Sequence, residues 1–220
     1  MAPSIKPFIL YSDDSLRAPN PLKVRLVLET LGLPYEVKTV PFSEMKNPEY
    51  LAVNPNGRVP SLHDPNKDFT IWESGAIIQY IIDEYDKEHT LGFPAGTKEY
   101  YLLNQFLFFQ MSGQGPYYGQ AYWFQYYHPE KLPSAIERYQ KETRRVTGVL
   151  DKVLEGKKYL VGEKLTYADL AFVPWQSGVE RIDREFNIEK EAPNVSAWWK
   201  RLTSVPAVAS LLERASKEAR

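Results

Sequence analysis

The sequence contains no cysteine and only three histidines among its 220 residues. Without cysteine the chain has no disulfide and no thiolate of its own, so any thiol chemistry must belong to a ligand. His63, His89 and His128 are isolated and far apart in the sequence. We therefore expect no metal site, because a metal centre needs several ligands in a close pattern.

The sequence also lacks an excess of one charge and any long apolar run. Its formal net charge of −1 gives no general attraction to nucleic acid or to acidic membranes. The N-terminal residues do not have the layout of a signal peptide, and no stretch is long enough to span a bilayer. We expect a cytoplasmic protein with no nucleic-acid or membrane partner.

What the sequence does contain is globular, with 43% apolar and 14% aromatic residues. Apolar patterns predict strands at 7–12 and 35–40, with a helix of about ten residues after Pro21 between them. A short helix at 43–52 and a hairpin follow, and a further helix starts at Ser74. The predicted order of this α/β domain is therefore βαβαββα.

Beyond this domain the periodicity is helical throughout. Residues 86–98 combine charge, glycine and proline, as linkers do. We predict one domain at 1–88, a linker at 89–97 and an all-helical domain at 98–220. Thr166 and Asp169 have the spacing of a capping box at the start of a buried helix.

The strongest functional signal lies just before and within the predicted hairpin. Residues 54–57 form an Asn-Pro-Asn-Gly turn, and Val59-Pro60 opens the strand that follows. A proline at this place indicates a cis bond, which would turn the N–H and C=O of Val59 outward as a small peptide-binding edge.

The start of the next helix adds binding groups for two charges of a ligand. Ser74 is predicted to be its N-cap, where free N–H groups receive a carboxylate, and Glu73 is poised for an ammonium group. Together with the edge at Val59, these features fit an amino acid joined to a peptide, as in glutathione. An ordinary hairpin with a capped helix is the alternative.

A family resemblance decides between these interpretations. The motifs NPNGRVPSL at 54–62 and IWESGAI at 71–77 resemble the glutathione-binding half of cytosolic glutathione transferases. The chain looks most similar to the fungal group around the yeast nitrogen-regulation prion protein and to the bacterial nu class. The resemblance implies a thioredoxin-like N-terminal domain, a helical-bundle C-terminal domain, a homodimer, glutathione as co-substrate and a role in detoxification.

The resemblance also implies which residue activates the glutathione thiol. Related nu-class enzymes have Thr-Pro-Asn where this chain has Ala18, Pro19 and Asn20, so the threonine hydroxyl is missing. Asn20 can still stabilise the thiolate, which is the attacking species, through its amide. A plain N-cap is its alternative role. Tyr11 and Ser15 offer further hydroxyls, although structural roles are the alternative for both.

Other binding residues are implied in the same way. Gln105 and Arg138 match residues that reach glutathione across the subunit interface, although they could equally be solvated or merely interfacial. Lys46 lies beside the position at which the yeast relative has a histidine. The implied glutathione ligands within the first domain are Asn20, Lys46, Arg58, Val59, Pro60, Glu73 and Ser74.

An aromatic run at 114–127, with glycines beside it, predicts a kinked and closely packed helix. We interpret most of its rings as core. Tyr117, Tyr118 and Trp123 are predicted to line an apolar pocket for the electrophile.

The function expected from the resemblance is attack by bound glutathione thiolate on an electrophile. A disulfide or peroxide is an alternative substrate, with a second glutathione completing turnover. A glutathione-binding regulator with little turnover is the second hypothesis, although we expect such a regulator to carry a long Asn/Gln-rich extension. An assembly module of the translation machinery is the third, and it would normally have an appended domain.

Overall fold

The computed structural model describes residues 5–13, 15 and 17–217. Within these residues the chain forms two compact units. The first runs to Leu91 and also includes the segment from Val205 onward, and the second is Gly92–Ser204. The first unit contains β1 (Phe8–Ser12), α1 (Pro19–Thr30), β2 (Tyr35–Thr39), a 3₁₀ turn (Phe42–Glu44), α2 (Pro48–Leu51), β3 (Ser61–Asp64), β4 (Phe69–Trp72) and α3 (Ser74–Tyr85).

The four strands form one mixed sheet in the order β2-β1-β3-β4. β1 and β2 are parallel, whereas β3 is antiparallel to both β1 and β4. The predicted βαβαββα order is confirmed. Tyr11 pairs with Ser61, and Ser61 pairs with Trp72. The end of β1, the start of β3 and the end of β4 therefore meet at one edge of the sheet.

Helix α1 is buried along most of its length. It begins at Pro19, a residue that favours the first turn because its missing N–H needs no partner there. Every residue from 21 to 28 is buried, including Lys23 and Arg25. This complete burial arises because α1 packs against β1, α3 and the last helix of the chain.

That last helix, α11 (Pro206–Lys217), belongs to the first unit. It packs on α1, and the Arg214 guanidinium donates to the Glu29 carboxylate at 2.6 Å. The sequence placed this helix in a helical domain spanning 98–220. The structure corrects this, because the buried apolar residues Val208 and Leu211 lie in the unit that contains α1.

The described part of the second unit is helical. Its helices are α4 (Lys98–Phe109), α5 (Gly115–Tyr122), α6 (Pro133–Val153), α7 (Tyr167–Gln176), α8 (Val179–Ile182), α9 (Ile188–Glu191) and α10 (Pro193–Thr203). Two π-helical segments, Gln110–Gln114 and Trp123–Tyr127, flank α5. The aromatic run is packed closely, since a Cβ on Gly119 would lie 3.3 Å from the Trp175 ring.

The predicted capping box is present at the start of α7. Asp169 is fully buried and accepts hydrogen bonds from Thr166 N (3.0 Å), Leu160 N (3.0 Å) and Trp198 Nε1 (2.9 Å). Burial raises the pKa of this carboxyl group despite these donors. Asp169 therefore joins α7, α10 and the preceding loop at one point.

The residues that the structure describes contain neither a membrane-spanning helix nor a metal-binding cluster. None of their helices is both long and apolar enough to cross a membrane. They also contain no cluster of three or more histidine or acidic side chains arranged to hold a metal ion.

Candidate functional site

The candidate site lies at the sheet edge where β1 ends, β3 starts and β4 ends. The antiparallel pairing of Ser61 with Trp72 places Val59 and Pro60 alongside Glu73 and Ser74. The loop leaving β1 leads into α1 from the same edge. The sheet thus brings together three segments that are separate in the sequence: the start of α1, Val59-Pro60 and Glu73-Ser74.

The segment Arg58-Val59-Pro60 is fixed from behind. Its Val59-Pro60 peptide bond is cis, as predicted. The Arg58 carbonyl accepts from the Tyr50 hydroxyl at 2.8 Å and from Asn54 Nδ2 at 2.6 Å. The Val59 side chain packs on a small cluster formed by Val40, Met45 and Tyr50. These contacts anchor the segment before any ligand is present.

The backbone of Val59 is left open. Across the described ranges, neither its N–H nor its C=O makes a hydrogen bond. Most backbone groups in folded proteins are paired, so an anchored and unpaired peptide unit is a natural place for another peptide to bind. The Arg58 side chain beside it is exposed to solvent.

The turn before this segment positions a cation. Asn54 Oδ1 accepts from Asn56 N at 2.9 Å, and Gly57 has a φ of 58°, a conformation that favours glycine. The Lys46 ammonium donates to the Asn56 carbonyl at 2.7 Å. Lys46 and Arg58 are both exposed, and the Lys46 ammonium contacts the turn that leads into the open peptide unit.

The start of α3 differs from the prediction in one respect. The sequence predicts Ser74 as the N-cap, but the helix begins at Ser74 itself and Glu73 is the cap residue. Glu73 has a φ of 72°, which is uncommon for a residue with a side chain, and its carboxylate does not cap the helix. Ser74 is buried whereas Glu73 is exposed. The acidic side chain therefore remains available beside a helix N-terminus, whose first N–H groups attract anions.

Asn20 is the second residue of α1 and is partly buried. The cap residue of this helix is Ala18, which excludes the alternative that Asn20 is a plain N-cap. Asn20 lies on the loop side of α1, at the edge of the sheet that carries the other candidate residues.

The loop before α1 is organised by Asp13, a residue whose role the sequence analysis missed. Its buried carboxylate accepts from the hydroxyls of Ser12 (3.1 Å) and Ser15 and from Ala18 N (3.2 Å). The Ser15 hydroxyl proton is thus directed at Asp13, which does not fit the predicted role of Ser15 in activating a thiol. Short polar residues before a proline-started helix were the signal for such a turn.

Tyr11 is the last residue but one of β1 and is partly buried. Its ring lies against Tyr50, with ring centroids 5.8 Å apart, and the Lys38 ammonium lies 5.3 Å from the centre of the Tyr11 ring. Burial raises the pKa of the Tyr50 hydroxyl, and the neighbouring Tyr11 acts in the same direction. Tyr11 therefore supports the anchored segment through its packing on Tyr50.

The remaining predicted site residues belong to the second unit. Gln105 on α4 and Arg138 on α6 are exposed, and Arg138 borders a shallow cavity of about 310 Å³. Tyr117 is partly buried, whereas Trp123 is 48% exposed. Tyr118 is fully buried, and its hydroxyl hydrogen-bonds to Thr147 Oγ1 at 2.8 Å. That burial makes Tyr118 a core residue, contrary to the predicted pocket role.

Lys23 lies one helical turn after Asn20 and was not singled out by sequence. Only 1% of its surface is exposed, which is rare for lysine. Burial lowers the pKa of Lys23 to about 7, and the negative charge of Glu73 acts in the opposite direction. A buried amine thus lies one turn along α1 from Asn20.

Comparison with protein families agrees with this geometry over most of the chain. The model of the glutathione S-transferase N-terminal domain matches residues 18–84, and that of the glutathione S-transferase C-terminal domain matches residues 116–206. The chain belongs to the glutathione S-transferase family. Membership confirms the predicted combination of a thioredoxin-like domain and a helical domain.

Individual relatives are fungal. The chain is 48% identical to the glutathione S-transferase-like protein tpcF of Aspergillus fumigatus, over 94% of this chain and 95% of that protein. It is 38% identical to the transcriptional regulator URE2 of Saccharomyces cerevisiae, over 93% of this chain and 67% of the regulator. It also resembles the crystal structure of the glutathione transferase URE2P6 from Phanerochaete chrysosporium in complex with oxidised glutathione, with a TM-score of 0.92, 50% identity and coverage of 97% and 98%.

Proposed function

We propose that this protein is a glutathione transferase that binds glutathione at the edge of the sheet in its first unit and uses the bound thiolate as a nucleophile. The observation that carries the proposal is the anchored and unpaired backbone of Val59. A cysteinyl peptide unit pairs with that N–H and C=O in the manner of an added strand. Specificity for glutathione comes from the charged groups on either side of Val59, which bind the two ends of the ligand.

The two ends of glutathione have matching receptors. The γ-glutamyl ammonium binds the Glu73 carboxylate, and the γ-glutamyl carboxylate binds the N-terminus of α3 at Ser74. The glycyl carboxylate lies toward Arg58 and Lys46, which supply the cations on the other side of Val59. Pro60 completes the wall beside Val59.

The sulfur is assigned to the start of α1. We propose that the Asn20 amide, aided by the N-terminus of the helix, stabilises the thiolate. A free thiol with a pKa of about 8.5 is only a few per cent ionised at pH 7. Lowering the pKa by about two units raises the thiolate concentration roughly 30-fold, so even a modest donor matters. Tyr11 is the alternative donor.

For the second substrate we propose a small electrophile, or a disulfide or peroxide reduced with two glutathiones. Because the chain has no cysteine, a second glutathione must resolve any mixed disulfide. The bound thiolate attacks one disulfide sulfur and expels the other as a thiolate, and the second glutathione then releases oxidised glutathione. The bound oxidised glutathione in the Phanerochaete relative supports this route. Tyr117 and Trp123 are proposed for the electrophile side.

The test is steady-state turnover of a small model disulfide and of a chloronitrobenzene acceptor with glutathione. Asn20→Ala is compared with Asn66→Ala, the same substitution in the turn between β3 and β4 at the opposite end of the sheet. We expect Asn20→Ala to raise the pKa of bound thiol, followed by thiolate absorbance, and to reduce turnover about tenfold. Unchanged thiol pKa and turnover would contradict the assignment of Asn20.

A homodimer is proposed from the exposed face of α4. Tyr101, Gln105 and Phe108 recur at helical spacing, and both aromatic rings are more than 60% exposed. A partner covering this face would also bring Gln105 to an interface. Light scattering on Phe108→Glu tests the proposal, with Lys157→Glu, at an exposed position outside α4, as control. Only Phe108→Glu should yield monomers.

A regulatory protein with little turnover is the second candidate. It is favoured by Ala18, which supplies no hydroxyl at the thiol end, and by the similarity to a transcriptional regulator. Tight glutathione binding without turnover of either substrate would favour this function. Failure to bind glutathione resin would remove both candidates.

A further inference from the structure

The start of α1 is built without the groups that usually cap a helix. Its cap residue is Ala18, and no side chain makes a capping hydrogen bond there. In a capping box the third helical residue reaches back to the N–H of the cap residue, but in α1 that position is Pro21, which has no side-chain acceptor. The N–H of Ala18 therefore needs an acceptor from another part of the chain.

Asp13 supplies this acceptor from the loop between β1 and α1. Its Oδ1 atom accepts from Ala18 N at 3.2 Å and from the Ser12 hydroxyl at 3.1 Å, and its Oδ2 atom accepts from the Ser15 hydroxyl. The Asp13 side chain is buried, and burying a carboxylate is costly unless it is paired or hydrogen-bonded. One carboxylate thus ties the end of β1 to the cap residue of α1.

We propose that Asp13 is a positioning residue for the glutathione thiol. The inference rests on the proposed function, in which the Asn20 amide and the N-terminus of α1 stabilise the thiolate. Asn20 lies two residues after Ala18, and the prolines on either side of it restrict its backbone. The hydrogen bond from Ala18 to Asp13 therefore fixes the direction in which Asn20 meets the sulfur.

The charge of Asp13 and its hydrogen bonds act on the thiol in opposite directions. A negative charge near the sulfur raises the thiol pKa, whereas a correctly placed Asn20 lowers it. The hydrogen bonds dominate in this proposal, because three donors already offset the charge and Asp13 is the acceptor for Ala18 N among the described residues. Asp13→Asn removes the charge and keeps an acceptor oxygen, whereas Asp13→Ala removes both. The two variants separate the effects.

The test follows the pKa of bound glutathione thiol by thiolate absorbance, together with turnover of a chloronitrobenzene acceptor between pH 5.5 and 9. Asp13→Ala should raise the thiol pKa by about one unit, so turnover should fall roughly tenfold at pH 6 and not at all at pH 9, where the thiol is ionised in both proteins. Asp13→Asn should have a thiol pKa at or below the wild-type value. Affinity for S-methylglutathione, which has no thiol, should stay at the wild-type value in both.

Asp64→Ala is the matched control. Asp64 is also a buried carboxylate that organises a turn of the first unit, but it accepts from the Tyr80 hydroxyl (2.6 Å) and from Asn66 N (2.8 Å) at the opposite end of the sheet. Its substitution should lower the free energy of unfolding and leave the thiol pKa unchanged. A rise equal to that in Asp13→Ala would show that loss of stability alone moves the thiol pKa, and the inference would fail.

Ala18→Pro reaches the same hydrogen bond from the donor side. The φ of −55° at Ala18 suits proline, and the substitution removes the N–H that donates to Asp13. This variant should raise the thiol pKa as Asp13→Ala does. Because Asp13 keeps its charge in Ala18→Pro, a rise in both variants can only come from the lost hydrogen bond.

A thiol pKa in Asp13→Ala at or below the wild-type value would overturn the inference, and so would an equal rise in Asp13→Asn. If Asp13→Ala does not fold, Ala18→Pro decides. If both are unfolded, Asp13 serves the fold rather than the thiol and the inference is wrong. Failure of the wild type to bind S-methylglutathione would instead count against the proposed function, so the two failures are distinguishable.

Discussion

The turn that precedes the open peptide edge permits a quantitative test with an internal control. Gly57 and Gly32 both have positive φ angles, 58° and 65°. A Cβ on Gly57 would lie 2.6 Å from the Met45 carbonyl oxygen and 2.8 Å from Lys46 Cδ. A Cβ on Gly32 would meet no heavy atom within 4 Å among the described residues. Both alanine variants carry the backbone strain of a positive φ, but only Gly57→Ala also clashes with neighbouring atoms.

The magnitudes follow from these contacts. Left-handed backbone strain costs about 1 to 2 kcal/mol for alanine at either position. At Gly57 the Met45 carbonyl is backbone and cannot rotate away, so the turn must move, at a further cost of roughly 1 to 3 kcal/mol. Movement of the turn also shifts Arg58 and Val59. We therefore expect Gly57→Ala to weaken glutathione binding at least about tenfold, or about 1.4 kcal/mol.

The assays are urea unfolding followed by circular dichroism and calorimetric titration with glutathione. Gly32→Ala should lose some stability while keeping wild-type affinity, because Gly32 lies at the far end of α1. Equal losses of stability in the two variants would refute the steric reasoning. Normal affinity in a destabilised Gly57→Ala would refute the link between this turn and the site.

Three further outcomes follow from buried polar groups. Tyr50→Phe removes the hydroxyl that donates to Arg58, and should cost about 1 kcal/mol of stability and reduce glutathione affinity a few-fold. Asp169→Asn turns an amide NH₂ toward N–H donors, so urea unfolding should show a loss of roughly 2 to 4 kcal/mol. Lys23→Met should stabilise the fold at pH 7, because the unfolded state binds this proton up to pH 10.5 and the folded state only to about 7. Wild-type stability should rise with pH across that window, by at most about 5 kcal/mol, and the rise should be absent in the variant.

The first unit was largely predictable because its signals are local. Proline at the start of α1 and β3, glycine and asparagine in the turns, and short apolar alternations each restrict the backbone without tertiary help. The cis bond at Pro60 and the capping box at Asp169 belong to this group. The family motifs at 54–62 and 71–77 lie in these locally restricted segments of the first unit.

The sequence-based predictions failed where tertiary contacts determine the local structure or the burial of a residue. Lys23 lies in a helix whose pattern gives no sign that α3 and α11 cover it from several sides. Ser74 has the composition of an N-cap, yet the backbone of Glu73 takes the cap position with a positive φ. The π-helical segments beside α5, Gln110–Gln114 and Trp123–Tyr127, depart from the 3.6-residue period that the sequence analysis assumed.

The packing of α11 on α1 makes the helical unit an insertion into the first unit. The polypeptide leaves the first unit after Leu91 and returns to it at Val205. A fragment cut between the units at the first crossing would therefore lack part of its own core, since Val208 and Leu211 are buried there. The first unit is therefore discontinuous in sequence, and neither unit can be excised by a single cut.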